Sequence, residues 1–190
     1  MVADTETQPP PTWLQGREQR LLQWLCCEVG GLTLALPVAG LREILRAPTM
    51  AALPLSPAWV RGAINLRGSA LPVIDLALRL GLTGGRPGRR ASVLVFNTQS
   101  SEDAALGGSQ ALGLWVDRVF EITAVDPGQL DAVPLFGNPL PSRFISQVLR
   151  WRNQPVLGLD MGEVLASGEL SAAIESHAEQ VCAQRLLRVS

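Results

Sequence analysis

A mainly β protein made of two small barrel-like units is the fold this sequence predicts, and three observations carry the reading. Short apolar runs recur between Gly- and Pro-rich turns, with 18 Gly and 14 Pro in 190 residues, a texture that favours small barrels over a sandwich. The two halves of the chain echo each other in order. Only the last stretch repeats its apolar residues at helical spacing. A hydrophobic fraction of 47% against 17% charged supports a packed core and argues against disorder over most of the length.

Taken in order, residues 1–19 hold Pro9-Pro10-Pro11 and only Trp13 and Leu14 as sizeable apolar side chains, so a flexible tail is expected there. Leu21–Glu28 and Leu32–Pro37 are apolar runs around Val29-Gly30-Gly31 and predict a hairpin. Val38–Arg46 is short and amphipathic, and fits either a helical turn or a bent strand. Pro54, Pro57 and Ala58–Arg61 lead into a central hairpin, Gly62–Leu76. Asp75 then caps a short helix, Leu76–Leu80, which ends at Gly81.

Ser92–Phe96 is a continuous β-branched and apolar run, hence a buried strand. Asn97–Ser109 is small and polar and reads as a loop, and Ala111–Phe120 reads as one further strand. Asp126-Pro127-Gly128 is a turn. Ser146–Trp151 and Pro155–Leu159 form a second hairpin around Arg152-Asn153. Asp160 and Glu163 have capping-box spacing. Leu170, Ile174, Ala178, Val181 and Cys182 predict an amphipathic helix over 169–190, packed on the barrels.

The echo is specific. Leu34–Ile44 aligns without gaps on Leu112–Ile122, with Leu34, Leu36, Val38, Glu43 and Ile44 matched by Leu112, Leu114, Val116, Glu121 and Ile122. Ala52-Leu53-Pro54-Leu55 recurs as Ala132-Val133-Pro134-Leu135. Each half then runs through a hairpin to a capping aspartate, Asp75 or Asp160.

Several functions are argued against. Sixteen basic residues stand against 17 acidic ones, so nucleic acid is not an expected partner, and 5% aromatic content gives few stacking platforms. The one basic cluster, Arg86, Arg89 and Arg90, is set among glycines and reads as a solvated loop. Every basic residue is arginine, which removes a Walker A lysine and Schiff-base chemistry. His177 is the only histidine, and no nucleophile elbow is present. Cys26, Cys27 and Cys182 lack zinc-ligand spacing. Glu43, Asp75, Asp117 and Asp160 are scattered carboxylates, two of them better explained as caps. No enzyme activity, cofactor or metal is expected. No run is long enough to span a bilayer, which takes about 18 apolar residues, and the polar N-terminus is no signal peptide, so a cytoplasmic protein without membrane insertion is expected.

The candidate site is the hairpin tip. Arg67-Gly68 supplies the turn, with glycine available for positive φ. A turn needs the glycine, but folding asks for neither Asn65 nor Arg67 beside it. An exposed guanidinium on a rigid hairpin suits docking to a partner's carboxylate or carbonyl.

Together these motifs resemble the CheW-like domains, the coupling modules of bacterial chemosensory arrays. The resemblance rests on Leu36-Pro37-Val38, Leu41-x-Glu43-Ile44, Leu53-Pro54, Pro57-x-x-Val60-x-Gly62, Asn65-Leu66-Arg67-Gly68 and Pro72-Val73-Ile74-Asp75-Leu76. It continues through Gly113-Leu114-x-Val116-Asp117-Arg118-Val119 and Pro155-Val156-Leu157-x-Leu159-Asp160, covering roughly 21–166. It implies two five-stranded SH3-like β-barrels around a shared core within residues 20–168. It also implies a non-catalytic adaptor joining chemoreceptor cytoplasmic tips to the regulatory domain of a CheA-type histidine kinase, at arrays on the inner face of the membrane. Carried over by position, Leu41, Glu43, Ile44, Asn65, Arg67 and Gly68 would face the receptor, and Ala70, Leu71 and Val73 the kinase. A decoy binding one partner only, or a pilus-motility coupling protein, are the alternatives the resemblance leaves open.

Overall fold

The computed structural model describes residues 21–46, 48–54, 56–84, 88–98, 110–134 and 137–166. Its elements are β1 (Leu22–Val29), β2 (Leu32–Pro37), β3 (Leu41–Arg46), β4 (Val60–Leu66), β5 (Ser69–Asp75), α1 (Leu76–Arg79), β6 (Ser92–Thr98), β7 (Gln110–Val116), β8 (Arg118–Val125), β9 (Ile145–Trp151), β10 (Gln154–Leu159) and α2 (Met161–Val164). The expected tail over 1–19 and helix over 169–190, with Arg86, His177 and Cys182, lie outside the described residues, as does most of the Asn97–Ser109 loop.

The strands form two five-stranded sheets, β8-β1-β2-β10-β9 and β3-β6-β7-β5-β4. The two expected units are present, but neither is one half of the chain. β1 and β2 of the first repeat sit with β8–β10 of the second, while β6 and β7 sit with β3–β5. Replacing each strand by its counterpart, β1 by β6 and so on, turns one sheet order into the other. The repeats therefore exchange strands about a pseudo-two-fold relation. They join through the two parallel pairings, β2 with β10 and β5 with β7. Near each open edge one isolated bridge adds a contact, Ala51 with Ala63 on β4 and Asp131 with Val148 on β9. Ala51 comes so close that a Cβ on Gly62 would strike its carbonyl oxygen, and Gly62 has φ +147. Glycine is required at that position.

Two local readings resolve here. Val38–Arg46 contributes a strand, β3 over Leu41–Arg46. Ala111–Phe120 is not one strand: β7 stops at Val116 and β8 starts at Arg118 in the other sheet. Asp117 makes the crossing. Its N–H donates to the Glu28 carbonyl at 2.9 Å, and its carboxylate accepts from the Gly30 N–H at 2.7 Å.

Three apolar clusters follow from strand alternation. Leu25, Cys27, Leu34 and Leu36 from one sheet meet Ile74, Leu94, Phe96 and Leu114 from the other in a shared core. The opposite faces fill each unit separately, with Val73, Val93, Val95 and Trp115 in one and Trp24, Cys26, Leu149 and Val156 in the other. Strands buried on both faces read as unbroken apolar runs, which is the texture of Ser92–Phe96.

Candidate functional site

The β4–β5 turn has positive φ at both central residues, 52° at Arg67 and 90° at Gly68, the geometry of a tight hairpin whose twist matches its strands. The Gly68 N–H donates to the Asn65 side-chain oxygen at 2.9 Å. Asn65 thus shapes the turn, a role its position alone did not reveal. Arg67 is held outward, its side chain 82% exposed, and meets Glu43 of β3 at 3.4 Å. Arg42, Glu43, Arg67, Ala70, Leu71 and Ala111 line one concavity of about 630 Å³ between the β3 edge and the hairpin.

The structure sorts the other expected residues. Ile44 is exposed on the β3 edge, and Leu41 is partly buried against the shared core. Ala70 is exposed on β5. Leu71 and Val73 point into the interior with Ile64, Val93, Val95 and Trp115, so what they offer a docking edge is support from beneath. The apolar run Leu71–Ile74 hides this, because alternation picks no face where every residue is apolar.

A second copy of the arrangement lies on the other sheet. Glu121 of β8 accepts from Arg152 at 3.0 Å and from the Trp151 indole N–H at 2.9 Å. The Arg152 guanidinium lies 4.3 Å over the Trp151 ring, which packs tilted against Phe120 at 5.1 Å. Arg152 and Asn153 also have positive φ, 49° and 62°. The signal for this copy was in the sequence, where Glu121 matches Glu43 and Arg152-Asn153 joins the arms of the second hairpin. The copies differ in grip: Leu66 stands where Trp151 would stack, so among the described residues Arg67 is held by its ion pair alone. Exposed pairs of that kind contribute about 0–1 kcal/mol, so Arg67 leaves Glu43 at little cost.

Reactive groups are few among the described residues. Burial pushes the Cys26 thiol up to about 11, with the Glu121 carboxylate adding to the rise and Arg152 opposing it. Complete burial raises Cys27 further. Both are thiols rather than thiolates near neutral pH, and poor nucleophiles. Among the described residues no three His, Cys, Asp or Glu side chains cluster as a metal site, and no helix is long and apolar enough to cross a membrane.

A family model described as the CheW-like domain matches residues 23–169. The chain is 28% identical over 145 residues to a chemotaxis protein CheW of Rhizobium meliloti (strain 1021), covering 76% of this chain and 88% of that protein. It is 28% identical over 137 residues to protein FrzA of Myxococcus xanthus, covering 72% and 80%. The fold is similar to a crystal structure of scaffolding protein TtCheW from Thermoanaerobacter tengcongensis, with a TM-score of 0.62, 21% identity, and coverage of 74% of this chain and 89% of that one.

Proposed function

The chain belongs to the CheW-like domain family, and we propose from that membership that it is a non-catalytic adaptor in bacterial chemosensory signalling, coupling chemoreceptor cytoplasmic tips to the regulatory domain of a CheA-type histidine kinase. The observation that carries this reading is the family match over residues 23–169, which spans both sheets. Arrays of its partners hold it at the inner face of the membrane.

The receptor face is the β3 edge with the hairpin tip: Leu41, Glu43 and Ile44 beside Asn65, Arg67 and Gly68. Exposed Ile44 gives apolar contact. Arg67 exchanges Glu43 for an acceptor on the partner, because its ion pair is long and solvated. Asn65 and Gly68 keep the arginine presented. The kinase face runs along β5 at Ala70, with Leu71 and Val73 shaping it from below.

Reconstitution tests the reading. Added to purified receptor and CheA-type kinase, the protein should raise receptor-dependent autophosphorylation and then lower it when adaptor in excess occupies each partner separately. Inhibition at every concentration, starting from an already active receptor–kinase mixture, would mark a decoy and sink the adaptor role.

A further inference from the structure

The two capping aspartates sit in equivalent surroundings that have been filled differently. In the β4–β5 pairing Val60 faces Ile74 and Gly62 faces Val73, so Arg61 is the bulged residue. In the β9–β10 pairing Ile145 faces Leu159 and Gln147 faces Gly158, so Ser146 is the bulged residue. The backbone repeats as well: Asp75 N–H donates to the Trp59 carbonyl at 2.8 Å, and Asp160 N–H to the Phe144 carbonyl at 2.9 Å.

In the first copy Arg61 occupies the space. Its Nε and Nη2 reach Asp75 Oδ2 at 2.9 and 2.8 Å, and its guanidinium lies 4.5 Å from the centre of the Trp115 ring. In the second copy the Ser146 hydroxyl turns back to the carbonyls of Gly158 and Leu159. Asp160 Oδ1 accepts from the Gly162 and Glu163 N–H groups, and Oδ2 has no partner among the described residues. What remains is a groove of about 940 Å³ with Asp160, Ser146, Trp24 and Pro37 in its lining. Trp24 contributes to this lining while being only 3% exposed. Leu21 and Leu22, 52% and 40% exposed, form an apolar rim.

The geometry points to this groove as a docking site for a partner protein's segment that inserts an arginine side chain, reproducing in trans the Arg61–Asp75 contact of the other copy. The guanidinium reaches Asp160 Oδ2, and apolar neighbours rest on Leu21 and Leu22. Charge complementarity selects the arginine, since the only built precedent for filling this space is one. The site lies on the sheet opposite to the Arg67 hairpin and does not depend on it.

The test is an amide and indole NMR titration of the full chain with the peptide N-acetyl-Leu-Arg-Leu-amide and its isosteric, uncharged citrulline counterpart. Saturable shifts are expected at the Gly162 and Glu163 amides and the Trp24 indole N–H. Binding should be about tenfold weaker for the citrulline peptide and for Asp160→Asn, the scale of one lost charge-assisted contact. Ser146→Arg, which supplies the missing side chain in cis, should abolish the shifts while keeping a dispersed spectrum. Equal binding of the two peptides, or no saturable shift up to about 10 mM, overturns the proposal. So does binding that emerges only when Arg17, Arg20, Arg185 and Arg188 are all replaced by alanine in the full chain, because the chain would then be filling the site itself.

Discussion

Glu121 is the internal counterpart of Glu43: each lies on the strand that follows a crossing between sheets, and each holds the first turn residue of a hairpin, Arg152 at 3.0 Å and Arg67 at 3.4 Å. The pair on Glu121 is stacked and shared with an indole, while the pair on Glu43 has no such support among the described residues. That asymmetry separates the two edges, and it sets the first prediction.

Arg67→Ala should lower receptor coupling several-fold while shifting stability by no more than about 1 kcal/mol, the range for an exposed ion pair. Kinase activation in the reconstituted mixture and a urea unfolding curve measure both. A large stability loss would make Arg67 a folding residue and remove its claim to the interface.

Gly62→Ala should be destabilising by about 2–4 kcal/mol, because the new Cβ meets the Ala51 carbonyl and the residue must hold positive φ. Differential scanning calorimetry reads this directly. An unchanged melting temperature would show that the Ala51–Ala63 bridge gives way freely.

Asp75→Asn and Asp160→Asn form a matched pair, since asparagine caps a helix about as well as aspartate. Asp75 is 2% exposed and bonded to Arg61, so its substitution should cost about 1–3 kcal/mol by turning a charge-assisted contact into a neutral one. Asp160→Asn should stay within about 0.5 kcal/mol. Equal costs, measured by denaturant unfolding, would mean that the two aspartates share their surroundings after all.

Stability should be insensitive to thiol ionisation below about pH 8 and fall at alkaline pH. Folded Cys26 titrates near 11, above its ordinary value of 9.0, and Cys27 is raised further. The folded state therefore keeps protons that the unfolded chain releases. The stabilisation is fully present below about 9 and is withdrawn as pH rises toward 11 and beyond, by about 1.4 kcal/mol per pH unit for each thiol held neutral. With no lysine or tyrosine in the chain, few other groups titrate there. Replacing Cys26 with alanine and Cys27 with valine should flatten the decline in urea midpoint between pH 9.0 and about 11, the interval between the ordinary and the folded Cys26 values. An unaltered slope would assign the effect elsewhere.

Local chemistry made the hairpins and both caps legible, because turn glycines and capping aspartates act within a few residues. The crossing at Asp117 was not legible as a break: no Gly or Pro marks it, and its cause is Gly30, far away in sequence. The Leu34–Ile44 echo held the clue, since a crossing between β2 and β3 implies its counterpart between β7 and β8. The exchange of strands depends on parallel pairings between distant segments, which no local pattern encodes. At the candidate site, positive φ was expected of Gly68 alone, and the structure adds it at Arg67; the resemblance put Glu43 and Arg67 on one face, and their ion pair emerges only from the structure. Asn65 was read as a recognition residue, and its bond to the Gly68 N–H shows a conformational task.

The exchange of strands also sets an order of assembly during synthesis. Strands β3–β7 are contiguous, so their sheet can close once Val116 has left the ribosome. The β1–β2 hairpin emerges first yet finds its remaining neighbours last, when β8, β9 and β10 arrive. Until then its face carrying Trp24, Cys26 and Ala35 is uncovered, the condition under which nascent chains aggregate or bind chaperones. Ribosome-stalled chains extended far enough past Val116 for β7 to clear the exit tunnel should therefore protect β6 and leave β1 accessible to protease.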